Sequence, residues 1–190
     1  MKNYFIRHYM SPNSGWGKDI ESHQLWLMCG DKEPGSIDEY NPEGKTFRFC
    51  HVANSGEGIF FYVRYHKILR GNEDRPHDFN DYDRGKAFLL QICKFLNSGK
   101  TLKDTKGFFY ISEFKFPGNR RGEENYALNL IRSDEERPNE TRSNSGGFIN
   151  KATGDTHLFE FFCFGKKMRD KRKKLMQQIC NACNQGLIEF

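Results

Sequence analysis

Residues 3–10 are rich in Tyr, Phe and Ile and alternate in character, the pattern of a β-strand with one face turned inward. Residues 23–29 predict a second strand, with Leu25 and Leu27 on one side. Residues 45–53 and 58–67 predict a third and a fourth, joined by the tight Asn54-Ser55-Gly56 turn. An acidic, proline-containing stretch follows over residues 71–83, and then the period changes. Phe88, Leu89, Ile92, Cys93 and Leu96 recur at helical spacing, predicting a helix over residues 84–97, with Gly99 placed to close it in the left-handed conformation. The second half reads in the same order. Strands are predicted over residues 107–116, 125–132, 147–152 and 156–164. A helix follows over residues 168–184, with Met168, Leu175, Ile179 and Cys183 along one stripe, and Gly186 ends it.

The agreement extends to the residues themselves. Residues 52–67 lie over residues 151–166 without a gap, both reading as turn, aromatic strand and lysine. Gln91-Ile92-Cys93 recurs as Gln178-Ile179-Cys180, and Tyr4-Phe5-Ile6 matches Phe109-Tyr110-Ile111. Even the loops after the second strands correspond, Asp31-Lys32-Glu33-Pro34 against Asp134-Glu135-Glu136-Arg137-Pro138. The expectation is an α+β fold of two tandem ββββα repeats, residues 1–100 and 101–190. Each would be an antiparallel four-stranded sheet followed by a helix, the two packed as one pseudo-twofold domain. One such half buries little by itself, and two can cover one another.

Composition narrows the setting. The chain has 190 residues, 36% hydrophobic, 29% charged and 15% aromatic, and carries a net charge of +5. The excess is local: residues 101–190 hold 16 basic and 12 acidic side chains, against 14 and 13 in residues 1–100. Local excess is what an anionic partner feels. No run approaches the ~20 apolar residues that span a bilayer, and Arg7 and His8 interrupt any leader-like apolar stretch. The six cysteines sit inside predicted strands and helices, which reads as reduced thiols. The expected setting is the cytoplasm or an organellar matrix, with no membrane contact.

The sharpest charge feature is the run from Lys166 to Lys174, in which seven of nine residues are basic: Lys166, Lys167, Arg169, Lys171, Arg172, Lys173 and Lys174. The first half has no equivalent. Cations at a helix N-terminus oppose the macrodipole, so the cluster points to a task other than helix stability. Basic and aromatic side chains also interleave on the first-half strands, as Arg7, Tyr9, Arg48, Phe60, Tyr62, Arg64 and Lys67. Cations for phosphates and ring faces for bases are the means by which single strands are held. An unpaired buried arginine is costly, so Arg7, Arg48 and Arg64 are expected on an accessible face or rim. Arg120 and Arg121 form a second small cluster in a loop. The competing reading of the strand rings is plain core packing, and which face of each fourth strand turns inward stays open.

In element order the chain resembles the whirly and PUR-repeat proteins and the guide-RNA-binding proteins of kinetoplastid mitochondria. That resemblance implies curved sheets facing single-stranded DNA or RNA, association through helices, and no catalysis. No short motif aligns individual contact residues. The expected function is therefore non-catalytic single-stranded nucleic-acid binding, with no cofactor and no metal, and with self-association through sheet edges or helices.

Two other classes fit parts of the sequence. Asp104 with Glu113-Phe114-Lys115 mimics the carboxylates and lysine of metal-dependent nucleases. Against this, Glu113 aligns with His8 in the opening strand of its repeat, so catalysis is not the expectation. Cys180-x-x-Cys183 has half of a zinc spacing, but Cys180 matches Cys93 and reads as core. The third class is a protein-interaction module, such as a viral or immunity-type inhibitor, with the acidic loop as its contact.

Overall fold

In a computed structural model the described residues are 3–12, 20–39, 59–68, 82–117, 124–137, 141–143 and 156–190. The fold is α+β, and the chain divides into two compact units: Met1–Ser98 together with Phe190, and Gly99–Glu189.

The first unit has strands β1 (Asn3–Pro12), β2 (Ile20–Gly30), β3 (Ile37–Glu39) and β4 (Ile59–Ile68), and helix α1 (Tyr82–Asn97). Its strand order is β3-β1-β2-β4. β1 runs antiparallel to β2, from Asn3 opposite Gly30 to Pro12 opposite Glu21, and β2 runs antiparallel to β4. Phe88, Leu89, Ile92 and Cys93 form the buried stripe of α1, which packs chiefly on β1. Leu25, Trp26, Leu27 and Met28 are all closed to solvent. Successive strand residues point to opposite faces, so both faces of β2 are covered there.

The second unit has strands β5 (Gly107–Pro117), β6 (Glu124–Arg137), β7 (Thr141–Ser143) and β8 (Thr156–Phe164), and helix α2 (Lys166–Asn184). Its order is β7-β5-β6-β8, with β5–β6 and β6–β8 antiparallel. Leu128, Leu130, Phe161 and Cys163 meet Met176, Ile179, Cys180 and Cys183 in a buried core. Helix α2 ends in a Schellman motif: Leu187 N–H donates to Ala182 C=O at 2.9 Å and Gly186 N–H to Cys183 C=O at 3.1 Å. Gly186 takes φ +68°, as the motif requires, and Gly99 after α1 takes φ +67°.

Two features differ from the expectation. The sheets are mixed, because β3 pairs parallel to β1 (Ile6 opposite Ile37) and β7 pairs parallel to β5 (Ile111 opposite Thr141). Three residues are too few to show an alternating pattern. β3 is set instead by a turn in which Gly35, at φ +72°, donates its N–H to Tyr4 C=O, and Ile6 N–H donates to Ser36 C=O. The predicted third strands, residues 45–53 and 147–152, lie outside the described residues. Secondly, β6 runs on through Asp134-Glu135-Glu136, where a loop was expected, because its far end pairs with Gly107.

Amide side chains on the helices hold the opening strands. Asn97 accepts from Tyr4 N–H at 2.7 Å and donates to Tyr4 C=O at 2.8 Å. Asn184 does the same to Phe109, at 2.8 Å and 3.0 Å. A Cβ on Gly107 would overlap the Asn184 side chain, so this position needs glycine for close approach. Gln178 grips Leu102 N–H and C=O, and Asn181 accepts from Thr105 N–H, so the segment before β5 lies strapped along α2.

Candidate nucleic-acid interface

The lysine–arginine run forms the first half of α2 and divides by direction. Arg169, Arg172 and Lys173 turn toward the sheet, while Lys166, Lys167, Lys171 and Lys174 are exposed. Arg169 donates from Nη2 at 2.8 Å and Nε at 3.1 Å to Glu113 Oε1, with the Asp170 carboxylate on its Nη1. Its guanidinium lies 5.4 Å from the centroid of the Tyr126 ring. The Glu113 hydrogen bond, then that of Asp170, pushes the Arg169 pKa above its ordinary value. Lys173 Nζ lies 3.5 Å from Glu113 Oε2. Arg172 is packed against the Cys163 thiol; burial pulls its pKa down, although the guanidinium stays charged. The inward cations therefore serve the fold. The outward set runs from Lys166 to Lys174, eight residue steps or about 12 Å of helix.

A group of rings lies on the other face of the sheet, because Phe114 and Phe116 alternate with Glu113, which meets α2, and Phe164 alternates with the buried Cys163. Phe116 on β5 pairs with Asn125 on β6, which pairs with Phe164 on β8, so all three lie in one row on one face of the sheet. Phe164 is 54% exposed, and Phe108, near the start of β5, is 51% exposed. Phe114 is stacked on Phe116 with centroids 6.0 Å apart and planes at 17°. Only Gly165, at φ +80°, separates Phe164 from Lys166.

The remaining expected residues are placed differently. Arg7 is only 5% exposed, not on a rim: its Nε and Nη2 donate to Asp38 Oδ2 at 2.8 Å and 2.6 Å. Arg7 could be buried because β3 brings a carboxylate opposite it, and the sequence pattern did not show that strand. Tyr9 lies on β1, and Phe60, Tyr62, Arg64 and Lys67 lie on β4; their side chains are outside the described residues, as are Arg48, Arg120 and Arg121 entirely. Phe164, Phe116 and Lys174 were not among the expected contacts. The apolar stripe contained a signal for the division of the cations. Stepping back from Ile179 and Cys180 by three and four residues lands on Met176, then Lys173 and Arg172, then Arg169.

Asp104, Glu113 and Lys115 are not brought together. Asp104 accepts from Gln177 and Asn181, whereas Glu113 meets Arg169 and Lys173, eight residues earlier on the same helix. That offset is two turns, about 12 Å. Lys115 pairs instead with Glu124, which also accepts from Tyr126 Oη at 2.8 Å. Among the described residues no three His, Cys, Asp or Glu side chains are grouped to hold a metal ion. No helix among them is long and apolar enough to cross a membrane.

No protein-family model matches the chain, and no match was found among curated proteins or among solved structures.

Proposed function

We propose that the protein binds single-stranded nucleic acid, with α2 and the end of β8 as the contact. The reading is carried by the exposed Phe164 ring one residue away from a helix face bearing Lys166, Lys167, Lys171 and Lys174. Phosphates would meet the lysines, and bases would stack on Phe164 and Phe116. Duplex DNA keeps its bases paired and stacked, so the rings favour an unpaired strand.

We further propose that the two units are copies of one ββββα module, as in the whirly and PUR-repeat proteins. Their common strand order supports this, as do the matching clamps of Asn97 on Tyr4 and Asn184 on Phe109.

Fluorescence anisotropy with twenty-residue oligo-dT, oligo-U and a duplex tests the binding. Four phosphate contacts to a single strand give a slope of log K against log salt of about −2.8. Between 50 and 200 mM salt, affinity should then fall by roughly 50-fold. Replacing Lys166, Lys167, Lys171 and Lys174 by Gln should remove most of that slope. A wild-type protein that ignores single strands, or prefers duplex, refutes the proposal.

A further inference from the structure

The opening of α2 is an electrostatically poor helix start. Seven of its first nine residues are cations, facing the positive end of the helix dipole. Gly165 offers no side-chain cap, and the first turn holds no acidic residue. Cations three and four residues apart repel one another. Even so, the helix begins at Lys166, two residues before the apolar stripe predicts.

The missing anion comes from another element. Glu113, in the middle of β5, is only 12% exposed and faces two cations one helical turn apart. Arg169 is fork-bonded to its Oε1, and Lys173 is paired with its Oε2. Charge-assisted bonds donated to a largely desolvated carboxylate are stronger than surface pairs. Asp170 also holds Arg169, but it sits on the same helix and is 48% exposed, so it does not tie the helix to the sheet.

We propose that Glu113 is a positioning residue for the polyanion-binding face. It gathers the inward cations, fixes the first two turns of α2 to β5, and so presents Lys166, Lys167, Lys171 and Lys174 as a preformed set. The binding consequence rests on the nucleic-acid reading above; the ordering consequence stands without it. Where only a fraction of molecules holds the competent geometry, apparent affinity falls by that fraction. Loss of Glu113 should therefore weaken binding without removing phosphate contacts.

Hydrogen exchange read by mass spectrometry on the full chain, paired with oligo-dT anisotropy, tests this. In Glu113→Gln, exchange over residues 166–174 should quicken on the order of tenfold relative to the rest of Gly99–Glu189. The Kd for oligo-dT should rise about threefold if a third of the molecules keep the turns, with the salt slope changed by less than one. Arg169→Lys keeps the net charge and loses the fork. It should show the same pattern at smaller amplitude, and it decides the matter if Glu113→Gln does not fold. Unchanged exchange over residues 166–174, or acceleration spread evenly through the unit, overturns the proposal. So does a salt slope reduced as far as in the four-lysine variant. Failure of the wild type to bind oligo-dT would sink the functional reading alone, because the exchange measurement still reports on Glu113.

Discussion

Replacing Asp38 by Asn should destabilise the protein by about 2–3 kcal/mol at pH 7. The figure follows from the surroundings of the pair. Breaking a buried ion pair costs about 3–5 kcal/mol, mostly because the surviving charge is stranded, whereas an exposed pair is worth about 0.2–1. Here Arg7 is nearly closed to solvent but the Asp38 side chain is 22% exposed, so the cost falls between the two ranges, just under the buried one. Lys32, at 3.3 Å from Asp38 Oδ1 and 45% exposed, adds little. Burial alone would push the Asp38 carboxyl up, but hydrogen bonds and charge from Arg7 and Lys32 outweigh it and hold its pKa below the usual carboxylate value. A carboxyl whose folded pKa is depressed contributes stability above its unfolded pKa and loses it as pH falls through the folded value. The gap between wild type and Asp38→Asn should therefore be full above about pH 4 and close progressively in acid. Urea unfolding at a series of pH values measures it. A gap below about 1 kcal/mol at neutral pH, or one that does not change with pH, would refute the reasoning.

Other outcomes follow from the same contacts. Asn97→Ala and Asn184→Ala each strip two backbone hydrogen bonds from an opening strand, and Asn184→Ala also loses its bond to Thr105 C=O. Each should cost about 2 kcal/mol in urea unfolding, and a loss confined to one of them would break the equivalence of the clamps. Burial pushes the Cys93 and Cys180 thiols up to about 12 and Cys163 to about 11, and raises Cys183 well above its ordinary value. These four should resist iodoacetamide at pH 8 until urea unfolds the chain, as read by peptide mass spectrometry. Because unfolded thiols ionise from about 8.5, stability should also decline as pH rises from there toward 11 or 12. Phe164→Ala should weaken oligo-dT binding by about 1–3 kcal/mol while leaving the unfolding midpoint nearly unchanged.

The sequence made legible what depends on near neighbours along the chain. α1 could be read because Phe88, Leu89, Ile92 and Cys93 share one face, and β8 because it is rich in rings, with Phe159, Phe161, Phe162 and Phe164 close together. The short parallel strands could not be read, since their partners are fixed by the Gly35 turn and by β1, more than twenty-five residues away from β3. Arg7 was placed on the surface for the same reason: the rule that buried charge needs a partner held, but the partner Asp38 was invisible. The cation run is legible as charge, but its division into inward and outward members depends on how the helix sits on the sheet. The predicted stripe of Met168, Leu175, Ile179 and Cys183 was close to the true one, whose buried members include Met176, Ile179, Cys180 and Cys183. A shift of one residue at Met176 decides which lysines and arginines face water.

The amide strap on α2 says where this polypeptide can be divided. Residues 99–106 have no regular structure of their own, yet Leu102 and Thr105 are bonded to Gln178, Asn181 and Asn184. A truncation that opens at Gly107 would leave those carboxamides facing an empty groove, with Asn181, now wholly enclosed, wetted. A cut between Ser98 and Gly99 would take the strap along with its helix, and is the place to part the two units.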